Sequence, residues 1–181
     1  MTVVTPPDAE PLALADVKAH LRIEHSVEDA LIQSYIASAR AAAEGYLRGP
    51  LMSQTVRLTY DAFPPWIRPP VWPVQSVESI AYDDAAGVEQ IWPPGRTRVV
   101  DGKPLTITPA YGDTWPATRP QPGAVRLTLR VGYAAVPADI LAALRLMTGD
   151  FERWRADTSG GAAVSIPRGV AALLRPHAVH F

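Results

Sequence analysis

Residues 28–47 read Glu-Asp-Ala-Leu-Ile-Gln-Ser-Tyr-Ile-Ala-Ser-Ala-Arg-Ala-Ala-Ala-Glu-Gly-Tyr-Leu, the longest uninterrupted helical signal in the chain. Leu31, Ile32, Tyr35, Ile36, Ala39, Ala43, Tyr46 and Leu47 recur at helical spacing and draw one apolar stripe. Ser26 followed by Asp29 reads as an N-terminal capping box, and Gly49-Pro50 reads as the stop. About twenty residues at about 1.5 Å each make a rod of roughly 30 Å. A rod of that length needs a partner surface along its stripe. A second flank, Ala37, Ser38, Ala41 and Ala42, carries only small side chains, so another helix or another subunit can approach it closely.

The rest of the chain arranges itself around this rod. Residues 1–11 hold Pro6, Pro7 and Pro11 and read as an extended arm. Leu14, Val17 and Leu21 share a face of a short helix over 13–23, close enough to residue 28 to form a helical hairpin. The period then changes to two. Val56, Leu58 and Tyr60 alternate in one strand, and Val125, Leu127, Leu129 and Val131 alternate in another. Between them, residues 74–82 and 88–92 pair as a hairpin across Asp83-Asp84-Ala-Ala-Gly87. Residues 98–107 form two short strands around Asp101-Gly102. Twelve of the 19 prolines fall in residues 64–122, which predicts short strands with stiffened loops. Helix returns with Asp139 as N-cap and a stripe Ile140, Leu144, Met147, Phe151, Trp154. Gly160-Gly161 reads as a hinge before a short helix ending at Pro176. The expected fold class is α+β: a helical bundle from residues 1–53 and 134–181, with residues 54–133 inserted as a small proline-rich β-module.

Composition narrows the chemistry. The 181 residues contain no cysteine, which excludes disulfides, thiolate metal sites and cysteine nucleophiles. No stretch approaches the roughly 18 apolar residues of a membrane span, and no signal peptide is visible. His20 and His25 do not share a helix face, and His177 and His180 lack a third ligand nearby, so no metal site is expected. Asp83-Asp84 sits in a turn signal, where aspartate serves the backbone. Ser159-Gly-Gly lacks the flanks of a nucleophile elbow, and phosphate-binding glycine motifs are absent. No catalytic residue, metal or cofactor is assigned, and the chain reads as a non-enzyme. Trp66, Trp72, Trp92 and Trp115 read as β-module core or interface anchors, with a ligand cleft as the alternative. Residues 1–90 hold 12 acids against 6 Lys/Arg, and residues 91–181 hold 6 against 11, which suggests a subunit with opposite poles. No basic run interleaves with aromatics, so sequence-specific nucleic-acid binding is not expected.

Three stretches in this order carry a family resemblance. They are residues 12–23 followed by 28–40, then Arg68-Pro-Pro with 74–82, then 132–144 with Phe151-Glu-Arg-Trp; residues 166–176 add a fourth. The chain thereby resembles the head–tail connector (adaptor) proteins of tailed bacteriophages and of phage-derived gene transfer agents. The resemblance implies a structural virion protein of the particle neck, assembled in the bacterial host cytoplasm. It implies a ring, twelvefold, under the portal protein, which prolongs the DNA exit channel and offers a docking surface to the stopper or tail-completion protein. It further implies a C-terminal segment that reaches the portal, for which Ile166, Val170, Leu173, Leu174 and Phe181 form the apolar docking face. On that reading, deletion of residues 162–181 leaves a folded domain and abolishes portal attachment. Ala37, Ser38, Ala41 and Ala42 become the contact between neighbouring copies. Arg126 and Arg130, facing away from the apolar side of their strand, become candidates to line the channel around DNA bound without sequence preference, or to form solvated or inter-subunit pairs. Two other readings stay open. One is another neck or tail component, a stopper or tail terminator, which fits the β-rich middle but not the long helices. The other is a small ligand-binding or enzymatic domain built on the tryptophans.

Overall fold

The alternating and helical runs set the element order. The computed structural model describes residues 1–153 and 167–179. Strands β1 (Thr2–Thr5), β2 (Gln54–Tyr60), β3 (Val74–Asp83), β4 (Glu89–Ile91), β5 (Thr97–Val100), β6 (Thr106–Pro109) and β7 (Val125–Val131) are interleaved with four helices. These are α1 (Leu14–Leu21), α2 (Asp29–Leu47), α3 (Ala138–Arg153) and α4 (Arg168–Leu174). The chain is thus mixed α+β. It divides into two compact units, each assembled from separate stretches of sequence. A sheet unit takes Met1–Pro7, Ser53–Ala134 and Val179; a helical unit takes Asp8–Met52 and the described part of Ala135–Ala178. The expected assignment of residues 1–53 to the bundle therefore shifts at its start. Val3 pairs with Val56, so Thr-Val-Val-Thr is an edge strand rather than a free arm. Four residues are too few to show a period, which is why the sequence hides it.

In the sheet unit, β7 lies at the centre of the order β1-β2-β7-β3-β4, and every neighbouring pair is antiparallel. Its inward residues Val125, Leu127, Leu129 and Val131 are all buried. Cross-strand rows form across it: Val56–Leu129–Val77, Leu58–Leu127–Ile80 and Tyr60–Val125–Tyr82. Register shifts in β3 between Val74 and Ser76 and between Val77 and Ser79 absorb extra residues. The smaller sheet, β5 with β6, closes the other side of this core. Ile67, in the proline-rich stretch, exchanges both backbone bonds with Ile107 at 2.8 and 2.9 Å. Ile67, Val71, Leu105 and Ile107 are all buried in the same cluster as Leu127 and Leu129. The prolines around Ile67 fix the backbone that presents it, lowering the entropy lost on ordering. The 98–107 hairpin forms, but its loop spans residues 101–105, longer than a two-residue Asp-Gly turn.

In the helical unit, α2 buries Ile32, Ile36, Ala39, Ala43 and Leu47, five of the eight stripe positions. The expected capping box is not made. Glu28 occupies the N-cap without a side-chain cap bond. Asp29 instead accepts Lys18 Nζ at 2.6 Å and ties α1 to the start of α2. The left-handed residue that ends α2 is Arg48 rather than Gly49, and the Gly49 N–H returns to the Glu44 carbonyl at 3.2 Å. Arg40 holds Glu10 through two bonds, 2.7 and 3.2 Å, and Glu44 at 3.0 Å. Glu44 also accepts the Leu51 N–H at 2.9 Å, so one ionic chain fastens the approach to α2 and its exit. The Glu10 hydrogen bond is the main cause that raises the Arg40 pKa above its ordinary value.

Helix α3 buries Ile140, Leu144 and Met147 on its stripe, while Tyr35 and Phe151 meet at 6.2 Å between ring centroids. Trp154 and the Gly160-Gly161 hinge lie outside the described residues. Asp139 is not the N-cap: α3 begins at Ala138 and the Leu141 N–H bonds to Pro137 O. The Asp139 carboxylate accepts the Ile140 N–H at 3.0 Å and His177 Nε2 at 2.6 Å. The short helix α4 packs on α3 and α2. Val170 and Leu174, four apart on one face, are 2% and 0% exposed. This corrects the reading of Val170 and Leu174 as part of a free docking face: both lie in the core of the helical unit. Burying those two side chains inside the unit gains more than exposing them would.

Two outcomes follow for the tail. Leu174→Ala should cost about 3 kcal/mol, as for other core leucine truncations, read from urea unfolding against the unchanged chain. A neutral result would mean α4 does not belong to the core. The His177 hydrogen bond is the largest cause holding the Asp139 carboxyl below the ordinary carboxylate range. Its contribution to stability is therefore present above the ordinary value of about 3.9 and is lost as the pH falls through the lower native value. The stability gap between the protein and Asp139→Asn should close as the pH is taken from about 5 to about 2. A gap that stays constant over that range would show that the carboxylate charge at Asp139 contributes nothing.

Candidate assembly surfaces

The small-residue flank of α2 lies where the helix leaves its stripe. Ser38 and Ala41 are exposed, and Ala37 and Ala42 are half-buried. The Ser38 hydroxyl donates to Ser34 O at 2.8 Å, and the Ser34 hydroxyl donates to Leu31 O at 2.7 Å. Both hydroxyls are thus turned into the helix backbone. The flank is left low, with no long side chain at those four positions to hold a neighbour away.

The solvent face of the sheet carries the two arginines, and they differ. Arg126 Nη2 donates to Asp83 Oδ1 at 2.6 Å and to Glu89 Oε2 at 2.7 Å, while Nη1 donates to Asp83 Oδ2 at 3.1 Å. Gln121 Nε2 donates a third hydrogen bond to the Asp83 carboxylate, at 2.7 Å. The hydrogen bond from Arg126 is the main cause that holds the Asp83 carboxyl below the usual range. Arg126 therefore ties β7 to the β3–β4 hairpin, with its charge matched by two carboxylates, and is not free to line a channel. Asp84, next in sequence, accepts the N–H groups of Ala86 and Val88 at 2.9 and 3.0 Å, the backbone role expected of it. Arg130 is exposed, and its Nε donates to Ser53 Oγ at 3.1 Å. It has no acid partner among the described residues, and Arg57 on β2 is likewise exposed without one.

The four tryptophans of the β-module do not converge on one cleft. Trp92 is buried and meets Trp115 at 5.2 Å, and Trp115 stacks on Phe63 at 4.6 Å with an interplanar angle of 5°. Phe63 in turn meets Tyr82 edge-on at 5.5 Å. This cluster fills one end of the sheet core. Burial raises the pKa of the nearby Tyr60 hydroxyl, and its oxygen, like Nε1 of Trp92 and of Trp115, has no hydrogen-bond partner among the described residues. Trp66 is exposed under Arg68, and Trp72 lies under Lys103, each cation 5.4 Å from its ring. Among the described residues no three His, Asp or Glu side chains gather into a group able to hold a metal, and no helix is long and apolar enough to cross a membrane.

Of the tail positions, Val170 and Leu174 are core, Leu173 is half-buried, and Ile166 and Phe181 lie outside the described residues. The charge asymmetry between the chain's halves does not pass to the units. The sheet unit holds 8 Lys/Arg against 7 acids, and the described helical unit holds 8 against 10, because each unit draws on both halves. The two edges of the sheet are not marked as edges in the sequence. Their signal was present in Val3-Val4 and in Val88 and Ile91, all exposed, but an edge is a property of strand order and not of the strand itself.

Comparison with known proteins bears on these surfaces. Residues 12–89 match the family described as phage gp6-like head-tail connector protein. No curated protein matches. The chain is similar over 99% of its length to a chain in the neck of an empty gene transfer agent (GTA) particle computed with C6 symmetry, at 29% identity, a TM-score of 0.77 and 95% coverage of that chain. It is similar over the same extent to a chain in the virion of a native GTA particle, at 28% identity and a TM-score of 0.79. A chain in the neck of a native GTA particle computed with C12 symmetry matches at 29% identity and 0.77, again covering 99% of this chain and 95% of that one.

Proposed function

We propose that this chain belongs with the phage gp6-like head-tail connector proteins, is a structural component of a particle neck and serves there as the adaptor ring between portal and tail. The observation that carries this reading is the similarity to neck chains over 99% of the length, which takes in both units. A family of unrelated neck proteins sharing only helices or only a sheet would match one unit. The C6 and C12 symmetries of those necks favour a ring of copies, for which we take twelve.

In such a ring the portal and the stopper or tail-completion protein are the partners above and below, and DNA passes through the centre. The chain needs no chemistry for that task. It needs a stable body, self-complementary flanks and a channel wall that binds DNA loosely and without sequence preference. Arg130 suits the channel wall better than Arg126, since its charge is not matched by a carboxylate. The α2 flank suits contact between copies, because small residues allow backbones to approach. Assembly takes place in the bacterial host cytoplasm, where the head is built.

Electron microscopy of particles carrying this chain should place it in the neck as a closed ring between portal and stopper. Its absence from that position would overturn the reading. Ala41→Trp should leave the urea unfolding midpoint within experimental error, because the residue is exposed, and should reduce incorporation into particles. An equal loss of monomer stability would instead place Ala41 in the core.

A further inference from the structure

The five-stranded sheet ends in two edges, β1 on one side and β4 on the other, each without a further strand among the described residues. Adjacent strands lie about 4.8 Å apart, so four spacings separate the edges by roughly 19 Å. Each edge strand pairs on one side only and presents unpaired N–H and C=O groups on the other, a template for another strand. Proteins that stay monomeric blunt such edges with charges, prolines or coverage. Here the blunting is slight. β1 reads Thr-Val-Val-Thr, has no charge or proline, and is irregular only between Val3 and Thr5. Val3 and Val4 are 49% and 46% exposed. On β4 the one charge, Glu89, pairs with Arg126 at 2.7 Å, an arginine it shares with Asp83, while Val88 and Ile91 beside it are 55% and 59% exposed. A shallow cavity of about 130 Å³ opens next to β4, lined mainly by Val77, Ile80, Ile91, Trp92, Pro94 and Val99, with Glu78, Ser79 and Thr97 as its polar members.

A ring closes only through a heterologous contact, in which two different patches of one subunit meet the opposite patches of its neighbours. The two edges meet that requirement. They are different, they lie at opposite ends of one sheet, and each carries exposed aliphatic side chains. An occupant of either edge must itself offer an unpaired strand with exposed aliphatic side chains, and the described part of this chain carries one on the opposite edge.

We propose that β1 of one copy adds to β4 of the next, so that the five-stranded sheets join into a belt around the ring. Val3 and Val4 then cover Val88 and Ile91 and reach the cavity beside Trp92. This inference rests on the ring reading above and specifies which surfaces make the ring.

The absence of cysteine gives a clean test. Particles are assembled with the Val3→Cys/Ile91→Cys double variant and treated with a short bis-maleimide linker, which tolerates small differences in register. The expected result is a ladder of covalent oligomers of this chain, extending toward the full ring. Val3→Cys alone and Ile91→Cys alone should give no ladder. Both positions are exposed, so the substitutions leave folding intact, which circular dichroism of the isolated chain checks. A neck that contains the chain at full occupancy but yields no ladder from the double variant would overturn the edge-to-edge contact and leave the adaptor role standing. A particle without this chain in its neck would overturn both. As a second, independent readout, Val3→Lys and Ile91→Glu should each lower incorporation, and the two combined in one chain should restore it. Loss without restoration counts against the contact.

Discussion

The pairing of β7 on both sides is the constraint on which the sheet unit depends. Its seven residues are matched one for one by β2, and β3 follows along the other side. No face of its backbone is left for water, and its four inward side chains are fully buried. A slip of one residue would turn Arg126, Thr128 and Arg130 into the core, which costs several kcal/mol for each buried charge. The register is therefore fixed, and with it the positions of Val56, Leu58, Ile80 and the aromatic cluster. The proline-rich stretch is ordered by the same core, through Ile67 and Val71, and not by its own hydrogen bonding alone.

The helical unit is held differently. Its stripes supply the apolar burial, but long-range ionic and hydrogen-bonded ties set where its segments begin and end. Lys18 fixes Asp29, Arg40 fixes Glu10 and Glu44, and His177 fixes Asp139. These ties are partly exposed and each contributes modestly. Their effect is on geometry: they decide where the chain enters α2, leaves it, and comes back along α3. Because both units are discontinuous in sequence, neither is complete until the last residues are in place. For an assembly subunit this links the tail to the integrity of the body, since Val170 and Leu174 belong to the core and not to an arm.

An adaptor of the kind proposed has to meet copies of itself and two unlike partners while leaving a passage open. On the proposed reading, the surfaces for contact between copies are plain in chemistry: a low small-residue flank on α2 and the two sheet edges. Of the two arginines that looked available, Arg126 is engaged within the subunit by two carboxylates, while Arg130 meets only the Ser53 hydroxyl. Matching charges internally leaves the exposed edges to be recognised by shape and backbone pairing, which suits a contact repeated identically around a ring.

The sequence by itself determined the helices α2 and α3, the alternation in β2 and β7, the two hairpins and the α+β class, because each is written in a period of 3.6 or 2 within a few neighbouring residues. The family resemblance was legible for the same reason, in the order of those segments. What only the tertiary structure decided was partnership. Asp29 looked like a cap residue and became an ion-pair partner 11 positions from Lys18. Asp139 looked like an N-cap and became the anchor of His177, 38 positions away. Arg126 looked free and is engaged by Asp83, 43 positions away. Thr2–Thr5 looked like an arm and became a strand because β2 lies beside it. Val170 and Leu174 read as a docking face because an apolar stripe states that a surface will be covered, and never by what. Local periodicity encodes which side of an element is apolar; the identity of what covers it depends on contacts between distant residues, and those are fixed only when the chain is folded.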